Sequence, residues 1–354
     1  MHLTKWLKKG LAVITALTMS FSMAACGNEE TGGGSEGSGG NEDITGSIMI
    51  YTSMYNDIID NMKVELKKEF PNLKVEFFQG GTGTLQSKVA AEKTSGKLGC
   101  DILMVAEQSY ALELKEEGML HPHKFADADK LAFEYDKDGY WYPVRSLNMV
   151  LAYNPEKYSK DQVPQSMKAF AEDAQFKGDL SMSDPLTSGS SYCAMVGLMD
   201  KYGDAYLKAL GDQNVTLESG SNAVAKLETG EIRSAMILEE SILKKREEEN
   251  SSLEVIYPED GSVLVPSPIM IVDEQYSANK NIKAAEAVQE FFLSPAGQKL
   301  IIKGWMYGVR TDMEEHPYDS GNLSDLLKKN IPVDYNKCYK QRDEIRKKFQ
   351  EELQ

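Results

Sequence analysis

The chain is 354 residues long and carries 55 acidic against 39 basic side chains, a formal net charge of −16. So acidic an envelope excludes nucleic acid as a partner and electrostatic adhesion to anionic lipid as an activity, while leaving the sign of any local site open. Its four histidines and four cysteines make no HExxH or short metal-type spacing, and GxSxG and P-loop patterns are absent.

The N-terminus reads as an export signal. Lys5, Lys8 and Lys9 precede an apolar run from Leu11 to Met23, which ends on Ala24-Ala25-Cys26. The run is too short for a membrane span, so residues 1–26 are expected to be a secretory signal peptide. A cysteine after two alanines resembles the lipobox of bacterial lipoproteins, which implies a lipid at Cys26 and attachment to the extracellular face of the cell membrane. Residues 27–46, GNEETGGGSEGSGGNEDITG, cannot bury enough apolar surface to offset ordering entropy and are expected to be a flexible tether. Losing the three signal lysines takes the formal charge to −19. Cys100, Cys193 and Cys338 remain, an odd number; buried free thiols are expected, with one disulfide and one spare thiol as the alternative.

From residue 47 the chain alternates strands and helices, which predicts an α/β fold with a largely parallel sheet. Strands are expected at 47–51, 75–78 and 102–105, with helices at 57–70, 85–93 and 109–117 between and after them. Residues 149–154 read as a β-rich crossing into a second lobe. There, strands at 180–182, 235–238 and 255–258 alternate with helices at 191–202, 223–228 and 241–249. Strands at 263–265 and 269–272 return, followed by helices at 284–292 and 295–302. The expected plan is two doubly wound lobes with a hinged cleft: 47–152 plus about 265–310 in lobe 1, and 153–264 in lobe 2. Residues 311–354 form a tail whose charged helix, 339–353, is expected to be solvated.

These residues resemble the bacterial extracellular solute-binding family that includes ferric-iron, hexose-phosphate and aminoethylphosphonate binders. The resemblance is carried in family order by IMIYTSMYND, EFFQGGTGTLQSKVAAEK, GCDILMVAEQSYALELKEEGML, DGYWYPVRSLNMVLAYNPEK, GDLSMSDPLTSGSSYCAM, VIYPEDGS and FFLSPAGQKL. It implies a type II periplasmic-binding fold and a partner ABC permease with its ATPase. The protein is expected to be a monomer without a cofactor and without enzymatic activity.

Four loops rich in Gly, Ser and Thr each join a strand to a helix: Thr52-Ser53-Met54, Gly81 to Thr84, Thr187 to Ser191, and Ser219 to Asn222. Glycine admits close backbone approach, and helix N-terminal N–H groups with hydroxyls can hold an anion at the carboxyl ends of the strands. Ser53, Thr82, Gly83, Thr84, Ser188, Gly189, Ser190, Ser191 and Ser221 are the candidate contacts for a phosphoryl or phosphonyl group. Each loop taken alone is also an ordinary helix cap. Arg145 is expected to add a charge-assisted contact, and Trp141, Tyr142 and Tyr192 to wall the pocket.

At the turn after residue 238 the ferric-binding members are expected to carry adjacent tyrosines. Here it reads Leu238-Glu239-Glu240-Ser241. A carboxylate from Glu239 or Glu240 would take sugar hydroxyls or an ammonium group, with Asp184 and Glu107 as second choices of that kind. The expected ligand is a small anionic solute, a phosphorylated sugar or polyol or an aminoalkylphosphonate. Ferric iron, held by scattered groups such as Tyr55, Tyr192, His121 and His123, is the same-fold alternative. A ligand-sensing surface lipoprotein and a carboxylate-based hydrolase are the alternatives of another class.

Overall fold

Two long strands made almost wholly of apolar residues organise the molecule. In the computed structural model, which describes residues 41–353, β5 (Trp141–Tyr153) and β10 (Val263–Val272) are buried along their full length and pair antiparallel. On the outer side of β10 lie β1 (Gly46–Thr52), β2 (Leu73–Gln79) and β3 (Ile102–Met104), in the order β2-β1-β3-β10. On the outer side of β5 lie β6 (Leu180–Ser183), β7 (Thr216–Glu218) and β8 (Ser234–Leu238), in the order β5-β8-β6-β7. Short strands β4 (Leu120–His121) and β9 (Glu254–Ile256) pair with β10 and β5.

The register determines where a site can form. The first group of strands attaches at the start of β5: Met104 at the end of β3 faces Ile269, which faces Tyr142. The second group attaches further along, with Leu238 at the end of β8 opposite Met149. Strands β1 to β3 run parallel to one another, and β6 to β8 do likewise in the opposite sense. The carboxyl ends of both groups therefore point toward the stretch of β5 between Tyr142 and Met149, the position at which open α/β sheets bind ligands.

Helices fill the connections. In the first group they are α1 (Asn56–Glu69), α2 (Thr82–Lys93) and α3 (Gln108–Glu116). In the second they are α4 (Met167–Glu172), α5 (Gly189–Tyr202), α6 (Ala205–Asp212), α7 (Gly220–Thr229) and α8 (Glu239–Glu249). After β10 come α9 (Ile282–Leu293), α10 (Pro295–Lys303), α11 (Leu323–Lys328), α12 (Tyr335–Lys340) and α13 (Arg342–Leu353).

Several sequence expectations shift. The two short return strands are one strand, β10, whose prolines Pro266 and Pro268 lack ladder donors and are accommodated by a bulge between Ser267 and Pro268. Pro143 of β5 stands opposite Pro268. Cys26, the signal peptide and the tether up to residue 40 lie outside the described residues. The last residues assigned to the tether pack on the body: Asn41 donates its backbone N–H to the Glu69 carbonyl, and Ile44 is buried.

The tail is not a single solvated helix either. It folds into α11, α12 and α13; Cys338 of α12 is buried, and so are Ile345 and Phe349, which lie four residues apart on one side of α13. Cys100, Cys193 and Cys338 are all buried free thiols.

Candidate functional site

Where the two groups of strand ends meet, a cavity of about 450 Å³ opens. Its floor is the middle of β5, where Arg145 and Leu147 share one face through the two-residue strand period. Its walls are the starts of four helices. Gly81, Thr82 and Thr84 come from α2, Ser188, Gly189 and Ser190 from α5, Ser219 and Gly220 from α7, and Glu240 and Ser241 from α8. Each first turn presents backbone N–H groups without intrahelical partners, and the helix dipole adds partial positive charge there.

Local sequence explains the arrangement. Ser188 caps α5 by accepting from the Ser191 N–H at 3.3 Å, and Ser219 caps α7 by accepting from the Asn222 N–H at 3.3 Å. Helix α2 begins after Gly81 with no side-chain cap, so its end remains open to an incoming acceptor. Gly189 allows α5 to approach α2. A Cβ there would lie 2.8 Å from Thr82 Cγ2 and 2.9 Å from its Oγ1. The Gly83 N–H donates to the Thr187 carbonyl at 3.2 Å, joining the same two helix starts through the backbone.

Arg145 is almost fully buried. It donates to Ser53 Oγ at 3.0 Å and approaches Met306 Sδ at 2.9 Å, while its Nε has no protein partner. Burial pulls its guanidinium below the ordinary value, and Glu240 and Tyr55 oppose that pull. Glu240 is also buried, and its Oε2 has no partner. Burial raises its carboxyl to about 7, with Asp57 and Glu239 adding to the rise and Arg145 and Lys244 opposing it. Two buried, incompletely bonded groups of opposite sign thus face one cavity.

Of the residues expected from sequence, Ser53, Thr82, Thr84, Arg145, Ser188, Gly189, Ser190, Glu240 and Asp184 line this cavity. The others do not. Ser191 donates to the Ser183 carbonyl at 2.6 Å, and Ser221 pairs with Ser219 at 3.0 Å. Glu239 accepts from Asn148 at 2.8 Å, from Tyr307 at 2.9 Å and from Tyr257, all away from the cavity. Glu107 engages Gln86, Ser109 and Arg342.

Trp141 and Tyr142 fall on β5 below the strand ends and are core residues rather than walls; the Tyr142 hydroxyl donates to the His123 carbonyl at 2.8 Å. Tyr192, a turn further into α5, faces the tail and donates to the Cys338 carbonyl at 2.7 Å. Gln79 and Glu218 line the cavity without having been singled out; both are the last residues of strands, which the strand-end rule would have flagged.

Tyr55 is the one tyrosine on the cavity wall, and among the described residues no three His, Cys, Asp or Glu side chains gather as a metal cluster. His121 and His123 pair instead with Glu286 and Glu290 of α9.

Two groups of strands joined by a pair of crossing strands, with a cavity between their carboxyl ends, are the type II periplasmic-binding-protein fold. Solved structures agree. The periplasmic binding protein AfuA from Actinobacillus pleuropneumoniae, with exogenous fructose-6-phosphate bound, superposes with a TM-score of 0.75 at 21% identity, covering 87% of this chain and 98% of that one. Iron-bound HitA from Pseudomonas aeruginosa does so with a TM-score of 0.74 at 18% identity, covering 86% and 98%. An uncharacterised protein of Haemophilus influenzae is 24% identical over 279 residues, 75% of this chain and 78% of that one.

The chain belongs to the bacterial extracellular solute-binding proteins, whose family profile matches residues 61–318. Among the described residues no helix is long and apolar enough to cross a membrane.

Proposed function

We infer that the protein captures a small anionic solute bearing hydroxyl or amino groups, a phosphorylated sugar or polyol or an aminoalkylphosphonate, and hands it to an ABC permease with its ATPase. One observation carries the reading: the starts of α2, α5 and α7, rich in Ser, Thr and Gly, open on one cavity whose floor is Arg145. Preorganised N–H groups, hydroxyls and a guanidinium suit the oxygens of a tetrahedral anion. Its volume of about 450 Å³ lies within the usual range for small-molecule sites. The unpartnered Glu240 carboxyl at the other side suits a ligand donor.

The two strand groups then act as lobes that close by bending where β5 and β10 cross, near Pro143, Pro266 and Pro268, where ladder donors are missing. A lipid on Cys26 and the Gly/Ser tether hold the body at the outer face of the membrane. Binding and release require no bond to be made or broken, so no residue has a catalytic role. Ferric iron is the rival cargo: Tyr55, Asp184, Glu218 and Glu240 line the cavity, although no three carboxylates among the described residues gather as a ligand set.

A thermal-shift panel on the mature body tests this, with hexose phosphates, glycerol phosphate, aminoethylphosphonate, inorganic phosphate and ferric citrate. A solute at a hundred times its Kd stabilises by about 2.7 kcal/mol, a rise of several degrees. A rise with one organophosphorus compound and none with inorganic phosphate is the expected result. A rise with ferric citrate alone overturns the anion reading.

A further inference from the structure

The C-terminal segment touches both strand groups, and it does so beside the cavity. Helix α13 is seated on the second group. Phe349 packs edge-on to Tyr192 of α5 with ring centres 6.0 Å apart, and Lys348 pairs with Asp204, just ahead of α6, at 2.9 Å. Gly211 of α6 meets the α13 backbone so closely that a Cβ there would lie 2.2 Å from the Glu352 carbonyl oxygen. Arg346 donates to the Leu186 carbonyl at 3.0 Å, in the loop that leads to Ser188 and the start of α5.

From that seat Arg342 reaches into the first group. Its guanidinium donates to Glu107 Oε1 at 2.9 Å and to Ser109 Oγ at 3.3 Å, and it pairs with Glu113 as well. Glu107 and Ser109 stand at the start of α3, just after Ala106 on the cavity wall, and Glu107 also accepts from Gln86 of α2 at 2.9 Å. The Glu107 and Arg342 side chains are only 4% and 18% exposed. A pair so enclosed is screened little by salt, and breaking it leaves buried charge uncompensated.

We propose that Arg342 is a closure-determining residue, an ionic latch from the C-terminal helix to α3 that holds the two strand groups together around the solute. It touches no solute. It acts through the population of the closed form, on which apparent affinity depends directly. The latch stands beside the backbone bond from Gly83 to Thr187, so both tie the same cavity rim. This rests on the reading of a hinged solute cleft.

Hydrogen–deuterium exchange of the mature chain tests the latch without any ligand, comparing wild type with Arg342→Gln and, separately, Glu113→Gln. The latch predicts exchange faster by about tenfold in residues 81–86 and 184–190 for both variants, with no further gain in the double variant. Faster exchange confined to residues 335–353, or none, overturns it, because Arg342 would then merely pin the tail. Either result leaves the ligand panel unaffected, so the latch and the solute reading fail separately.

Discussion

Glu239 and Glu240 are consecutive residues at the start of α8, yet one closes a buried hydrogen-bond network while the other faces the cavity with an unpartnered oxygen. Successive residues on a helix point about 100° apart, so one turn serves two unlike roles. The difference lets structural and ligand-facing carboxylates be separated by substitution.

Removing the Glu240 charge should stabilise the protein in a pH-dependent way. Burial raises this carboxyl from an ordinary 4.5 to about 7. A raised acid means the folded state holds its proton more tightly than the unfolded chain. Stability is therefore lost as pH climbs from about 4.5 to 7, by roughly 3 kcal/mol in all. Glu240→Gln should raise the melting temperature by several degrees at pH 8 and by little at pH 5, while weakening solute binding. Equal shifts at both pH values would remove the buried-carboxyl argument.

Glu239 should behave in the opposite way. Asn148, Tyr257 and Tyr307 all donate to it, and the Tyr257 hydroxyl in turn accepts from the Gly321 N–H at 2.5 Å. Glu239→Ala leaves three donors without their acceptor and should cost roughly 3–5 kcal/mol in urea unfolding. The order of preference among solutes should stay unchanged. A changed preference with unchanged stability would place Glu239 in the site instead.

How far the sequence foretold this depends on what each signal encodes. Strand and helix order followed from periodicity, and the clustered helix starts from the Gly/Ser/Thr loops. Those loops also misled at their edges: α5 begins at Gly189 and α7 at Gly220, because turn-forming residues are themselves the first helical positions. The opposite engagement of Glu239 and Glu240 was invisible, since it depends on Tyr307 and Gly321, which come near only after the chain has returned through β10. Arg342 was hidden for the same reason. A charged helix reads as solvated until the fold brings Glu107 and Glu113 to it.

The three thiols should be silent in the native state. Cys100, Cys193 and Cys338 are fully buried, and burial pushes the Cys100 and Cys193 thiols well above their ordinary value. Labelling by a disulfide reagent at pH 8 must therefore wait for opening. Cys338 should react first, because it sits on the six-residue helix α12 at the edge of the fold, whereas Cys193 is held within the longer α5. Reaction of Cys193 ahead of Cys338 would mean that the tail is anchored more firmly than α5 itself.

Gly189→Ala should weaken solute binding while leaving the protein folded. The added Cβ has nowhere to go, with Thr82 Cγ2, Cβ and Oγ1 all within 2.9 Å of it. Relief requires the start of α5 to retreat from α2, and such overpacking typically costs about 1–3 kcal/mol. The retreat separates the donors of Thr82 and Thr84 from those of Ser188 and Ser190, which one anion must touch together. Because each donor is held by its own helix, the helices stay formed while their shared geometry is lost. The expected result, for whichever solute the panel identifies, is affinity lower by more than about tenfold with a melting temperature within a few degrees of wild type. Unchanged affinity would show that α2 and α5 do not hold the solute jointly.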